Sequence, residues 1–281
     1  MILAMIENPT ARWLIAQVLN GNLFYIGMAM LGLAGTLRLV GSWRPMYRWR
    51  GVARALLAAG IVAVILGASA GSVWWLVWLA TLAAAVVVHR RRRQARSVAA
   101  MLCAVALVIA CVTTWRYEWG AADAEPAPPR IVVFGDSLSS PFDIRSEASW
   151  PARVARTLDV RVENLSVPGA KTADVAGAMP MIDVSGAMVV VAVGGNDVLG
   201  GTSARQYAAQ LDAVLGHLAD HAASVVFIEP PVPPSLPWYA WIQRRVARRH
   251  EVRLMPKRVL ADAVFARRGG TLDGLHLTAE G

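Results

Sequence analysis

The sequence predicts a chain of two fold classes: an α-helical transmembrane region over residues 1–116 and an α/β domain with a parallel sheet over residues 130–281. Long uncharged apolar runs occur only in the first part. In the second part, short apolar runs alternate with helical patterns, which is typical of a parallel sheet covered by helices on both faces. Charge also separates the parts, because residues 1–129 carry a net +8 and the remainder only +1.

The composition excludes several classes of protein. The 281 residues are 56% hydrophobic and only 17% charged, with a mean hydropathy of +0.45. A soluble globular domain is nearer a quarter charged, so neither an ordinary cytosolic enzyme over the whole length nor a disordered chain fits. The excess positive charge lies between the apolar runs, where membrane topology puts it. We therefore expect the bilayer, and not a nucleic acid, as a partner.

Four membrane spans are expected in the first part, at 13–37, 55–70, 73–88 and 97–115. The uncharged run over 55–88 has 34 residues. One helix of that length would reach about 50 Å, whereas the hydrocarbon core is about 30 Å thick. The small residues over 67–72 are a natural break, so we predict a hairpin of two short spans.

Two arginine clusters determine the predicted orientation. A hairpin between them places both clusters on the same side, which the positive-inside bias makes cytoplasmic. The N-terminus and everything after Trp115 then lie on the external side. The clusters comprise Arg38, Arg44, Arg48, Arg50 and Arg54, and Arg90, Arg91, Arg92, Arg93 and Arg96.

Both cysteines, Cys103 and Cys111, lie in the last apolar run. Their spacing of eight separates them by about two helical turns, which is too far for a disulfide. The sequence Val108–Cys111 is similar to a bacterial lipoprotein signal, so two readings stay open for Cys111: lipid attachment, or a small apolar residue in a helix. Met1–Asn8 has no basic residue, which argues against a cleaved signal peptide.

The second part follows a spacer rich in Ala and Pro over 117–129. Its apolar runs predict strands at 131–134, 160–165, 187–193, 225–228 and 252–255, with helices at 149–158, 171–179, 203–221 and 238–250. Ligands of such sheets bind beyond the carboxyl ends of the strands. The residues that follow each strand are therefore the candidate site.

Those residues form four blocks: Gly135-Asp136-Ser137-Leu138, Asn164 to Gly169, Gly194-Gly195-Asn196-Asp197, and Asp273 to His276. Together, in this order, they resemble the SGNH, or GDSL, hydrolases, and most of all the small bacterial periplasmic thioesterases and lysophospholipases. The Trp150-Pro151 pair after the first block also resembles the sequence of these enzymes. The resemblance covers residues 130–281 and implies a three-layer α/β fold with a flavodoxin-like sheet.

Catalytic roles follow from the chemistry of these residues. A serine hydroxyl needs a base to remove its proton, and His276 is the candidate base for Ser137. Asp273, three residues earlier, is expected to bind the other ring nitrogen. The resemblance implies an oxyanion hole made of the backbone N–H groups of Ser137 and Gly169 and the side-chain amide of Asn196.

The remaining residues of interest in the first and third blocks are expected to have structural roles. Asp136 and Asp197 are expected to brace loops, and Gly194 and Gly195 to leave room for a turn. No spacing of His, Cys, Asp or Glu suits a metal, so neither a metal nor a cofactor is expected.

Two features depart from the family pattern. Residues 278–281 look like the start of the helix that closes this fold, so we expect a continuation of the chain or another element at that edge. The proline-aromatic segment 230–241 is predicted to be a stiff loop. Its rings, Trp238, Tyr239 and Trp241, either bind substrate, lie on the bilayer or make a rigid connection.

Three hypotheses of function remain. The leading one is a serine esterase anchored in the inner membrane of a bacterium, with its catalytic domain in the periplasm. It would cleave carboxylic or thio esters of lipids or envelope glycans through an acyl-serine. The alternatives are an acyltransferase that uses the same site to acylate a glycan or lipid, and a non-catalytic membrane scaffold.

Overall fold

The structure of the chain is a computed structural model that describes residues 9–43, 47–67, 112, 128–140, 148–233, 235–266, 270–273 and 276–281. The chain divides into two compact units. The first combines Met1–Asn20 with Ala122–Gly281, and the second is Gly21–Ala121.

A five-stranded parallel sheet forms the centre of the first unit. Its strands lie in the order β2-β1-β3-β4-β5, which confirms the predicted parallel sheet. The order places β1 between β2 and β3, so the ends of these three strands are neighbours. The strands are β1 (Arg130–Gly135), β2 (Arg161–Asn164), β3 (Met188–Ala192), β4 (Ser224–Ile228) and β5 (Arg253–Met255).

Helices alternate with these strands, as expected. The described helices of the first unit are α1 (Pro9–Leu19), α4 (Trp150–Leu158), α5 (Thr172–Ala178), α6 (Gly195–Leu199), α7 (Ala204–His221), α8 (Pro237–Arg249) and α9 (Lys257–Ala261), with a 3₁₀ turn at Met179–Met181 and a π turn at Asp262–Ala266. Those of the second unit are α2 (Asn22–Trp43) and α3 (Tyr47–Gly67).

Alternate residues of the strands pack into two hydrophobic clusters. Val132 and Phe134 of β1 face the larger cluster, to which α7 and α8 contribute. Ile131 and Val133 face the smaller cluster, where they meet Trp150 of α4. Burial on both faces explains why the strands are continuous apolar runs in the sequence instead of alternating patterns.

The helix α1 is part of the α/β unit, which the sequence did not predict. It packs against α9 and the π turn. Asn20, only 2% exposed, donates from Nδ2 to Oδ1 of Asp262 over 2.9 Å, and Ala16 is fully buried. The predicted span over 13–37 is not one continuous helix, because α1 ends at Leu19 and Gly21 adopts a φ of 82° before α2 begins.

The second unit holds a close pair of helices. A Cβ placed on Gly27 of α2 would lie 2.7 Å from the carbonyl oxygen of Gly60 on α3, so both glycines permit the close approach. The helix α3 begins at Tyr47, so Arg48, Arg50 and Arg54 belong to a helix and not to a connection as predicted.

Membrane crossing stays a prediction. Among the helices that the structure describes, none is by itself both long and apolar enough to cross a bilayer; Trp13–Leu19 and Asn22–Ala34 reach that length and hydropathy only when counted together across their break. The predicted spans 73–88 and 97–115 lie outside the described residues, apart from residue 112, as do both cysteines and most of the 117–129 spacer.

Candidate active site

The first strand ends in a tight turn that presents Ser137. Residues 137–140 turn away from the sheet, and the backbone N–H of Ser140 donates to the carbonyl of Asp136 over 2.9 Å. The carboxylate Oδ1 of Asp136 also accepts from the N–H of Leu138 over 2.9 Å. Asp136 thus braces the turn, as predicted, and Ser137 remains partly exposed above it.

Glycine is required at position 135, immediately before this turn. A Cβ there would lie 2.6 Å from the hydroxyl oxygens of both Ser139 and Ser166. Real Cβ atoms do not approach that closely, so the turn after β1 and the loop after β2 pack directly over this glycine.

Asp136 is an unusual carboxyl group, because it is 4% exposed. Burial raises its pKa, while the N–H of Leu138 and the charge of His276 act in the opposite direction. An electrostatic effect of His276 on Asp136 means that the two ends of the α/β sequence, far apart along the chain, are close in space.

Asp273 and His276 lie in a small antiparallel turn near the end of the chain. Thr271 and Leu277 form a β-bridge, and the N–H of Leu272 donates to the carbonyl of His276 over 2.8 Å. Oδ2 of Asp273 is 2.6 Å from Nδ1 of His276, and Oδ1 accepts from the His276 backbone N–H over 2.8 Å. A carboxylate on Nδ1 leaves Nε2 of the ring as the nitrogen able to accept a proton.

The loops after β2 and β3 are joined by a buried carboxylate. Oδ2 of Asp197, which is fully buried, accepts from both the N–H and the hydroxyl of Thr172, over 2.8 and 2.9 Å. Asp197 therefore braces the loops as predicted, whereas its partner Thr172 was not predicted. No spacing in the sequence identifies Thr172, since 25 residues separate the pair.

Asn196 and Gly169 lie on the two segments that this carboxylate joins: Asn196 precedes Asp197 on α6, and Gly169 lies in the loop before Thr172 of α5. The side-chain amide of Asn196 donates to the carbonyl of Ala170 over 3.1 Å and lies 3.4 Å from Oδ2 of Asp136. Gly169 has a φ of 80°, in the left-handed region that favours glycine. The predicted oxyanion residues therefore belong to loops that are tied to each other and to the Ser137 turn.

One pocket borders both ends of the candidate site. Ser137 and Leu138 line it on one side, and Leu277 and Thr278 line it on the other. Since Leu277 directly follows His276, the pocket brings the serine turn and the histidine turn to the same opening. Trp150 and Arg153 of α4 complete the wall. The sequence analysis noted Trp150 but did not identify Arg153.

The aromatic residues after β4 lie in α8 (Pro237–Arg249), which agrees with the predicted helix over 238–250, so the predicted stiff loop over 230–241 is corrected from Pro237 onward. Tyr239 is 5% exposed, and its hydroxyl donates to the carbonyl of Thr202. Its ring packs in the core and not in the pocket. Trp241 is half-buried against the core, while Trp238 is 46% exposed.

The described part of the chain contains no group of three or more His, Cys, Asp or Glu side chains that could hold a metal ion. Residues 278–281, expected to begin a helix, are not helical. Thr278 instead donates its backbone N–H to the carbonyl of Gly270 over 3.1 Å, which helps to close the turn that holds His276.

Comparison with known proteins identifies the class. The profile of the GDSL-like lipase/acylhydrolase family matches residues 133–281, and the chain belongs to this family. It is accordingly an ester hydrolase of the GDSL type. An arylesterase of Vibrio mimicus is 28% identical over 145 residues, which cover 47% of this chain and 72% of that protein.

Part of this chain is also similar to solved structures. The crystal structure of TesA is 25% identical and covers 53% of this chain and 89% of its own, with a TM-score of 0.47. The psychrotrophic esterase EstA from Pseudoalteromonas sp. is 17% identical and covers 54% of this chain and 89% of its own, with a TM-score of 0.48.

Gly194 and Gly195 allow a matched test of how tightly the segment after β3 is packed. Gly194 has a φ of 119°, and a Cβ there would lie 2.7 Å from the hydroxyl of the fully buried Tyr207. We predict that Gly194→Ala costs about 2–4 kcal/mol, since a strained φ adds to overpacking. The unfolding midpoint should fall by roughly 5–15 °C.

The adjacent Gly195→Ala is the control for this thermal melt. A Cβ at Gly195 would meet only Oδ2 of Asp136, at 3.7 Å, which is ordinary contact. Equal midpoints for the two variants would contradict the geometry of this loop.

Proposed function

We propose that this hydrolase cleaves its ester by a two-step acyl-serine route, with Ser137 as nucleophile, His276 as base and Asp273 as the residue that orients His276. The observation that carries the proposal is the pocket bordered on one side by Ser137 and on the other by Leu277, next to the 2.6 Å Asp273–His276 contact. A nucleophile, a base and an orienting carboxylate are the parts that acyl transfer requires.

In the first step, Nε2 of His276 takes the hydroxyl proton as Oγ of Ser137 attacks the ester carbonyl carbon. The tetrahedral intermediate then expels the alcohol or thiol, which receives that proton, and leaves the acyl group on Ser137. In the second step, water attacks the acyl carbon and His276 again takes the proton. The carboxylic acid leaves and the hydroxyl of Ser137 is restored.

The carbonyl oxygen becomes negative in both steps, so hydrogen-bond donors must face it. We assign this role to the N–H groups of Ser137 and Gly169 and to the amide of Asn196. The amide nitrogen of Asn196 carries two N–H groups. It lies 3.1 Å from the carbonyl oxygen of Ala170, which accepts one of them, and 3.4 Å from Oδ2 of Asp136. Each such donor is typically worth about 10²–10³ in rate.

The nucleophile is tested by substitution and covalent labelling. Ser137→Ala removes one partly exposed hydroxyl, so the protein should fold normally while ester turnover falls by at least about 10⁴-fold. A fluorophosphonate probe should label the unsubstituted chain and not this variant. The exposed Ser185→Ala is the matched control and should retain both turnover and labelling. Persistent labelling of Ser137→Ala would show that another residue is the nucleophile.

We also propose that the substrate is borne by a membrane, as a lipid ester or an acyl group on an envelope glycan, on the periplasmic side of a bacterial inner membrane. The spacer after Trp115 is short, about 14 residues, and cannot extend beyond roughly 50 Å. An enzyme tethered so closely is suited to substrates at the bilayer.

One face of α8 supports this proposal. Trp238, Trp241 and Arg245 follow one another at spacings of three and four residues, so they lie along one side of the helix. The guanidinium of Arg245 lies 4.8 Å from the centre of the Trp241 ring. Indole rings and arginines are suited to the headgroup region of an anionic bilayer.

The α8 face is tested with a double variant, Trp238→Ala with Arg245→Gln. We expect hydrolysis of a long-chain ester in anionic vesicles to fall roughly 5- to 10-fold, because each basic residue near such a surface contributes about 1 kcal/mol. Hydrolysis of a short soluble ester should be unchanged. Met181→Ala, which removes an 80% exposed apolar side chain elsewhere, is the control. Equal losses on both substrates would contradict the membrane role.

A further inference from the structure

The pocket beside Ser137 has a mixed lining. Apolar surface comes from Leu138, Trp150 and Leu277, and Ser140 and Thr278 provide hydroxyl groups. Among the described residues of this lining, Arg153 is the one with an ionisable side chain.

Arg153 is placed on the pocket by the helix that carries it. It lies three residues after Trp150 on α4, so both side chains occupy the same face of the helix. Burial of Pro151 and of the preceding Ser149 fixes the start of that helix. The guanidinium is thus carried by a well-anchored helix and not by a loop.

Four arginines of this unit, Arg130, Arg244, Arg249 and Arg258, each form an ion pair with a carboxylate. Within the described ranges, no ion pair joins Arg153 to a carboxylate. An arginine at a pocket wall with its fork of donors available is suited to a carboxylate or phosphate.

The pocket is an open cleft. Its empty volume of about 370 Å³ includes its open mouth.

We propose that Arg153 is a specificity residue that binds a carboxylate or phosphate of the ester substrate, while Trp150 and Leu277 cover an apolar part of the same substrate. The inference rests on the proposed function, because it assigns Ser137 as the atom that attacks the bound ester. The anion belongs either to a free acidic ester or to a phosphate headgroup, and both present the same chemistry to Arg153.

Two matched substrate pairs test this proposal and distinguish the sources of the anion. The first pair is mono-(4-nitrophenyl) succinate against 4-nitrophenyl butanoate. The second pair is 1-hexanoylglycerol 3-phosphate against 1-hexanoylglycerol. Arg153→Gln should raise KM for the anionic member of at least one pair about tenfold, and far less for its neutral partner, with kcat little changed. A tenfold change is what a lost charged hydrogen bond of about 1.4 kcal/mol produces.

Two controls accompany these kinetics. Arg156→Gln changes an exposed arginine one turn further along α4, outside the pocket lining, and should leave both members of each pair unaffected. Arg153→Lys keeps the charge and should recover part of the lost affinity. If Arg153→Gln affects anionic and neutral esters equally in both pairs, the proposal is wrong.

Direct binding separates this inference from the proposed mechanism. Calorimetry with Ser137→Ala measures affinity for the intact anionic ester of each pair without turnover. Binding that Arg153→Gln weakens in this background supports the anion site even if another residue proves to be the nucleophile. Conversely, normal labelling of Ser137 by the fluorophosphonate, together with binding that is insensitive to Arg153, would contradict the anion site alone.

Discussion

The candidate site depends on one buried carboxylate, Asp197. Its side chain is fully enclosed, and two donors of Thr172 bind one of its oxygens. A buried carboxylate without partners would destabilise the fold by several kcal/mol, so this contact holds the loop after β2 against the loop after β3. Asn196 and Gly169 keep their places only if those loops stay together. Parallel strand order makes this possible, because it brings the ends of β2, β1 and β3 side by side.

Asp136 adds a second constraint at the same edge of the sheet. Burial raises the pKa of its carboxyl group, and the nearby charge of His276 favours ionisation. A group with a raised pKa in the folded state stabilises the fold most at pH values below its unfolded pKa, and loses that contribution as the pH rises through the folded value. In the proposed reaction His276 becomes positive when it takes the serine proton. A positive His276 then lowers the pKa of the Asp136 carboxyl group, in opposition to the effect of burial.

Most of the α/β unit could be predicted from the sequence, because strand runs and strand-end motifs are local patterns. The five predicted strands agree with those described to within one or two residues, and Ser137 follows β1 as expected. Contacts between distant segments could not be predicted in this way. One example is the hydrogen bond between Thr172 and Asp197, which are 25 residues apart in the sequence. Another is the hydrogen bond between Asn20 and Asp262, which are 242 residues apart.

The errors of prediction have physical reasons as well. Hydropathy did not reveal the break between α1 and α2, because a helix that buries Ala16 against other protein groups is as apolar as one that faces lipid. The predicted loop over 230–241 and the predicted helix over 238–250 overlapped, and the structure follows the helix, because proline is well suited to the first turn of a helix, where its missing N–H costs nothing. Arg153 was missed because its significance comes from the pocket wall it shares with Ser137, which no spacing along the chain reveals.

The proposed reaction passes through an acyl-enzyme on one identified residue, Ser137, and rapid-quench mass spectrometry measures this directly. The full chain is mixed with excess 4-nitrophenyl butanoate, quenched in acid within milliseconds, digested and mapped. We predict a burst of about one 4-nitrophenol per chain and a butanoyl mass on the peptide that contains Ser137. A butanoyl group on a different residue, or turnover without any acylated peptide at any quench time, would contradict the central claim.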